Sequence, residues 1–163
     1  MTEMTAASKP HPWLRRLLRA PAWLYRCRCG WLLGHRFLLL IHTGRRSGLR
    51  RCTVLEIAEY RPQMPEAVVV SGWGRGADWL RNLAATPQPE VIIGTHRFPA
   101  ASRLLGREEA IAVIHGYERR NRWMLPVIHY VLSRLLGWRY DGSAQSRRRL
   151  AEQLPLVAFR PAA

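Results

Sequence analysis

Every apolar run in this chain is about as long as one β-strand and is closed off by glycine, proline or a cluster of charge. The purest, FLLLI at 37–41, falls far below the roughly 18 residues a membrane-spanning helix needs. Runs of this length predict strands over 37–42, 53–60, 67–71 (AVVVS) and 154–160 (LPLVAFR), with 91–94 and 97–105 forming a hairpin around Thr95-His96. Between them, helical patterns cover 79–85, with Asp78 as its cap and Thr86-Pro87 as its stop, then 108–115 and 118–137, the last interrupted at Asn121 or Pro126. About six strands and several short helices in 163 residues predict one mainly β or α+β unit, either an antiparallel barrel or a mixed arrangement. No internal repeat or linker divides it.

Charge narrows the choice of partner. Lysine and arginine number 26 against 11 acidic residues, a net charge of +15, and Lys9 is the only lysine. The positive field is therefore made of guanidinium, whose planar fork of donors suits phosphate and carboxylate. Phosphate, polyglutamate, nucleic acid and anionic lipid all remain open as ligands on this ground. Residues 1–12 read as a loose tail without the basic start and apolar core of a signal peptide. Three cysteines make no disulfide framework, and Cys27-Arg28-Cys29 with a distant Cys52 has no metal-ligand spacing, so a metal is not expected and a reducing cytoplasm is the simplest compartment. His35, His42, His96, His115 and His129 are scattered and assemble no catalytic triad.

Residues 13–36 alternate tryptophan and leucine with arginine on near-helical spacing, and Pro21 divides them into two short helices. Such a segment either packs its leucines on its own domain or rests on an anionic membrane surface, at the inner face of the cell membrane. The domain boundary is accordingly placed between a tail with basic amphipathic helices, 1–36, and a folded domain, 37–163, to which the resemblance given below assigns cofactor binding.

Two loops carry the chemistry. The first, His42-Thr43-Gly44-Arg45-Arg46-Ser47-Gly48-Leu49-Arg50-Arg51, joins two strands and holds four arginines that are either solvated or aimed at an anion. The second, Ser71-Gly72-Trp73-Gly74, lies at the exit of a buried strand just before a helix, where glycine admits a ligand to the backbone and Trp73 offers a flat face. Its spacing is that of neither a dinucleotide fingerprint nor a nucleoside triphosphate loop.

Five segments occur in a fixed order: 38–51 (LLLIHTGRRSGLRR), 69–74 (VVSGWG), 78–87 (DWLRNLAATP), 91–103 (VIIGTHRFPAASR) and 156–161 (LVAFRP). Together they resemble the deazaflavin (coenzyme F-420)-dependent nitroreductase and quinone reductase family of actinobacteria. The resemblance implies a split β-barrel of about six antiparallel strands with flanking helices, and transfer of a hydride from the reduced coenzyme to a quinone or nitroaromatic acceptor. It implies that Arg45, Arg46, Ser47, Arg50 and Arg51 hold the coenzyme's phosphate and polyglutamate tail. By the same resemblance Ser71, Gly72, Trp73 and Gly74 lie along the deazaflavin ring, and Trp79, Arg81 and Asn82 complete the cofactor site. A tyrosine near the acceptor is expected in the C-terminal part, for which Tyr117 is the catalytic candidate. Other readings stay beside this one: FMN as the cofactor, its phosphate on the same arginines, or a basic surface for nucleic acid or membrane, although no nucleic-acid motif is present and no specific nucleic acid is expected. The physiological acceptor and the oligomeric state are not legible.

Overall fold

The computed structural model describes residues 35–162. The helices expected over 13–36, with their membrane-surface reading, lie outside the described residues apart from the last two positions. Six strands, β1 (Phe37–Thr43), β2 (Arg50–Arg61), β3 (Glu66–Val70), β4 (Glu90–Ile93), β5 (His96–Leu104) and β6 (Leu156–Pro161), close into a barrel in the order β1-β2-β3-β6-β5-β4. Every pairing is antiparallel, so the six-stranded α+β barrel expected from the sequence is what forms. Each strand has two neighbours, β2 switching from β1 over Arg50–Glu56 to β3 over Ile57–Arg61.

The apolar runs are explained by two cores. Leu38, Leu40, Val69, Val91, Val157 and Phe159 fill the barrel interior. Val68, Leu156 and Ala158, pointing outward from the same strands, are covered by Val113, Ile114 and Leu150 from helices and by Tyr140 from the connection between two of them. A strand covered on both sides needs no polar face, which is why β3 reads as unbroken AVVV. In β2 a bulge between Ile57 and Glu59 shifts the register, so the adjacent Ile57 and Ala58 are both buried and the alternation along this strand is imperfect, as expected.

Four helices are described: α1 (Asp78–Ala85), α2 (Arg107–Arg120), α3 (Leu125–Leu136) and α4 (Ala144–Gln153). The break expected within 118–137 falls at Asn121, and the part before it is continuous with the helix expected over 108–115. The α2 helix runs through to Arg120, Asn121 stops it, and a 3-10 turn at Arg122–Met124 leads into α3, with Pro126 tolerated in its first turn. No expectation covered α4, whose start is the Ser143 side chain accepting from the Ser146 N–H. Asp78 is likewise not a cap: Ala77 precedes the helix and Asp78 is its first residue, its carboxylate turned onto Arg45. No helix among the described residues is long and apolar enough to cross a membrane.

Candidate functional site

The loop between β1 and β2 closes on itself through Gly44 N–H to Leu49 O (2.8 Å) and Gly48 N–H to Gly44 O (2.8 Å), with Gly48 at φ 64°. Arg50 and Arg51 belong to β2 rather than to the loop, so the turn itself is only Gly44 to Leu49. Its four arginines divide into two pairs. Arg45 lies along α1: its guanidinium donates to Asp78 Oδ1 (3.0 Å) and Asn82 Oδ1 (2.9 Å), and its backbone N–H donates to the same Asn82 oxygen (3.1 Å). Arg50 is paired with Glu90 on β4, which Arg97 also reaches. Arg46 and Arg51 have no acidic partner among the described residues.

What surrounds Gly44 shows where the second pair can act. A Cβ at this position would lie 2.8 Å from Ser47 Oγ and 3.1 Å from Arg51 Nε. The serine hydroxyl and the arginine therefore converge over Gly44, against an α-carbon that only glycine leaves bare. Ser47 Oγ accepts from the Leu49 N–H (3.4 Å), which leaves its own O–H to donate outward. A hydroxyl and an uncompensated guanidinium make a cradle of the right chemistry for a phosphate or carboxylate oxygen, the backbone N–H groups of Gly44, Ser47, Gly48 and Leu49 being spent on the turn itself. The polar end of a deazaflavin coenzyme fits this donor set.

Behind the loop sits a buried polar chain. Asn82 is 4% exposed and His42 5%. With the Asn82 carbonyl oxygen accepting from Arg45, its amide Nδ2 donates to His42 Nδ1 (3.1 Å), so Nε2 carries the imidazole proton and donates to Thr53 Oγ1 (3.2 Å). Burial lowers the His42 pKa, and the charge of Arg51 acts in the same direction, against the Thr43 backbone contact and Asp78. The neutral imidazole thus locks Asn82, and Asn82 locks Arg45.

The α1 helix presents three faces. Asp78 and Asn82 meet the loop; Trp79 and Leu83 enter the barrel core, the Trp79 ring tilted against Phe159 at 6.3 Å. Leu80, Arg81 and Ala84 form one wall of an open cleft of about 390 Å³, floored by Leu104 and Val157, with Arg75 and Arg103 at its rim. Arg103 is held by Glu66 and Glu109, whereas Arg75 and Arg81 have no acidic partner among the described residues. The preceding turn is tight: Ser71 Oγ–H donates to Gly74 O (2.7 Å), the Gly74 N–H donates back to Ser71 O (2.8 Å), and Gly74 sits at φ 62°. The Ser71 hydroxyl is buried in that turn, while Trp73 stands at its tip, half-exposed.

The structure therefore brings Arg45, Arg46, Ser47, Arg51 and Asn82 to one side of α1 and Arg81 to another, with the Ser71–Gly74 turn leading directly into the cleft residue Arg75. Trp79 is in the barrel core. Tyr117 is elsewhere, beside Arg36, Ile57 and Arg120 in a smaller cleft of about 180 Å³, its hydroxyl donating to Glu56 (2.9 Å). Burial, then the Glu56 charge and hydrogen bond, push the phenol pKa up, so it keeps its proton. Glu56 lies six residues along β2 from Arg50, which separates Tyr117 from the arginine loop by about 20 Å at the usual rise of a strand. Sequence reasoning passed over His42 and Arg75; a histidine directly before the Thr-Gly-Arg turn, and an arginine directly after the Trp-Gly pair, were the available signals. Among the described residues no group of three or more histidine, cysteine, aspartate or glutamate side chains is arranged to hold a metal ion.

Comparison with known proteins gives one family and one fold. The pattern of the F420H(2)-dependent quinone reductase family matches residues 17–124. No curated protein matches the chain. Among solved structures, an F420-H2 dependent reductase (FDR-A) is 20% identical, over 78% of this chain and 96% of its own, with a TM-score of 0.45. A protein of unknown function from Agrobacterium tumefaciens is 15% identical over 97% of this chain and 59% of its own, with a TM-score of 0.50. HutZ, a heme storage protein from Vibrio cholerae, is 13% identical over 96% and 92%, also with a TM-score of 0.50. At such identities the last two speak for the barrel alone.

Proposed function

The chain belongs to the F420H(2)-dependent quinone reductase family and is a deazaflavin-dependent oxidoreductase, and from that premise we propose which of its residues hold the coenzyme. Arg46, Ser47 and Arg51 take the phosphate and the first carboxylates of the tail. The single observation that carries this is the cradle over Gly44, where a hydroxyl and an arginine without an acid partner converge on a position no side chain can fill. Arg45 and Asn82 are positioning residues that fix the loop against α1, and Arg50 sets its far edge through Glu90. The cleft on the other side of α1, with its apolar floor and the Ser71–Gly74 turn at its entrance, receives the ring, and Arg75 and Arg81 stand where the chain leading from ring to phosphate would pass.

When bound, the reduced coenzyme supplies a hydride from a ring carbon, so the protein needs to position donor and acceptor rather than provide an acid and base of its own. Loop and cleft do this by holding the anionic end by charge and the ring by shape and apolar contact, which leaves one ring face for the acceptor. That acceptor is a quinone; nitroaromatic compounds, equally flat and electron-poor, are proposed as further acceptors. Tyr117, in its separate cleft, is given no part in the transfer. The tryptophan- and arginine-rich stretch 13–36 adds a peripheral place at an anionic membrane surface, where lipid-soluble quinones are found.

The experiment is direct. Purified full-length protein is mixed with reduced coenzyme and a soluble quinone, and oxidation of the ring is followed by its absorbance. Turnover that falls at least tenfold in Arg46→Ala/Arg51→Ala, through weaker binding of the coenzyme, is expected. Turnover unchanged in that variant would remove the cradle from the site.

A further inference from the structure

The α3 helix and the 3-10 turn before it leave an apolar face uncovered. Trp123 is 74% exposed, Tyr130 66%, Val127 53% and Val131 44%. Val127, Tyr130 and Val131 follow i, i+3 and i+4 spacing on α3 and so form one stripe, with Trp123 exposed in the 3-10 turn just before it. The packed side runs from the flank next to the stripe, at Leu135, round the helix, with Leu136 buried and Leu132 and Leu135 against the outer core. A patch of two aromatics and two valines in water is unusual for a surface helix and marks a contact surface.

The charges around it identify the partner. Between Arg119 and Tyr140 there are five arginines and no acidic residue. Arg120 is turned inward onto Ala58 O, while Arg119, Arg122, Arg134 and Arg139 are exposed and without an acidic partner among the described residues. Aromatic rings level with guanidinium groups match the headgroup region of a bilayer carrying anionic lipid. A second copy of the chain would bring like charge against this rim. The segment 1–34, with one lysine and five arginines against Glu3 alone, would do the same.

We propose that the Trp123–Val131 face of the α3 region is a docking surface for anionic lipid bilayers, lying flat in the headgroup layer. This rests on, and deepens, the membrane-surface part of the proposed function, and it moves the contact from the N-terminal stretch to Trp123, at the end of the residues matched by the family pattern, and the helix that follows them. The placement has a consequence for the site. A Cβ at Gly72 would lie 3.6 Å from Leu135 Cδ2, and Leu135, one turn after Val131, flanks the stripe, so the Ser71–Gly74 turn adjoins its edge. Docking the outer face would set that turn, and the half-exposed Trp73, beside the lipid surface from which an apolar quinone would come.

Sedimentation of the full chain with vesicles of phosphatidylglycerol and phosphatidylcholine, against phosphatidylcholine alone, tests this in wild type, Trp123→Ser/Tyr130→Ser, Arg122→Gln/Arg134→Gln and Trp13→Ser/Trp23→Ser. The expected result is binding that requires phosphatidylglycerol and weakens at least tenfold in both α3-region variants, with coenzyme affinity unchanged within twofold as the check of folding. Binding unchanged in the α3-region variants but lost in the N-terminal one would overturn the α3 surface and keep the membrane reading. No binding by wild type would overturn both while leaving quinone turnover in solution intact. A shift from dimer to monomer in Trp123→Ser/Tyr130→Ser would assign the face to a second copy and also overturn the proposal.

Discussion

Asn82 does the work of a joint: one buried amide accepts twice from Arg45 and donates once to His42. Replacing it with alanine strands a backbone N–H and an imidazole nitrogen away from water, so Asn82→Ala is expected to lower stability by about 2 kcal/mol in denaturant unfolding. Arg46→Ala, by contrast, removes no partner and should unfold within about 0.5 kcal/mol of wild type. His42 adds a dependence on pH. Its folded pKa is below the ordinary 6.5, so the unfolded chain binds the extra proton first; the stability this contributes is complete above pH 6.5 and is lost as pH falls below it. Unfolding midpoints measured from pH 7.5 to 5.5 should decline, and His42→Gln, which holds no titrating proton, should flatten that part of the curve. The sequence placed His42 next to the loop but could not show this role, because a lone histidine has no pattern; only the fold brings Asn82, forty residues on, into contact with it.

At the scale of elements, an acid network ties α2 to the barrel. Glu109 on α2 meets Arg61 of β2 and Arg103 of β5, and both arginines also hold the buried Glu66 of β3. Arg103, then Arg61, keep the Glu109 carboxyl down at about 2, against 4.5. The stability due to this group is therefore present above pH 4.5 and is lost as pH falls toward 2, and Glu109→Gln should remove that portion of the acid transition in a pH-dependent unfolding series. At the turn before α1, Gly74 combines a positive φ with a would-be Cβ only 3.2 Å from Gln153 O. Gly74→Ala is expected to destabilise by about 1–3 kcal/mol in thermal unfolding, since backbone faces backbone and neither yields easily. Much of the element order was legible: apolar runs bounded by glycine and proline located all six strands. What failed was local patterning overridden by packing. Arg50 and Arg51 were drawn into a strand by pairing with His42 and Thr43, and α4 carries RRR in its middle, which hid an amphipathic helix whose buried residues are only Ser146 and Leu150.

For the whole molecule, an excess of fifteen positive charges says only that an anion is near. The fold decides which charges are free. Of the four loop arginines, Arg45 and Arg50 are answered by Asp78 and Glu90, and Arg46 and Arg51 are not, a division no sequence pattern predicts because it depends on where α1 and β4 close the barrel. The family was thus readable from five ordered segments, and which loop arginines are free of an acidic partner only from the structure. The account stands on the tail of the coenzyme being held by that second pair. Calorimetric titration of the full chain, wild type and Arg46→Ala/Arg51→Ala, with the deazaflavin coenzyme and with a deazaflavin lacking the phosphate and glutamate tail, tests this most directly. Two lost charge-assisted contacts correspond to roughly 3–6 kcal/mol at most, so the wild type should favour the tailed coenzyme by at least a hundredfold and the variant should lose most of that preference. Equal affinity of the wild type for the two compounds, or a preference that survives in the variant, would contradict it.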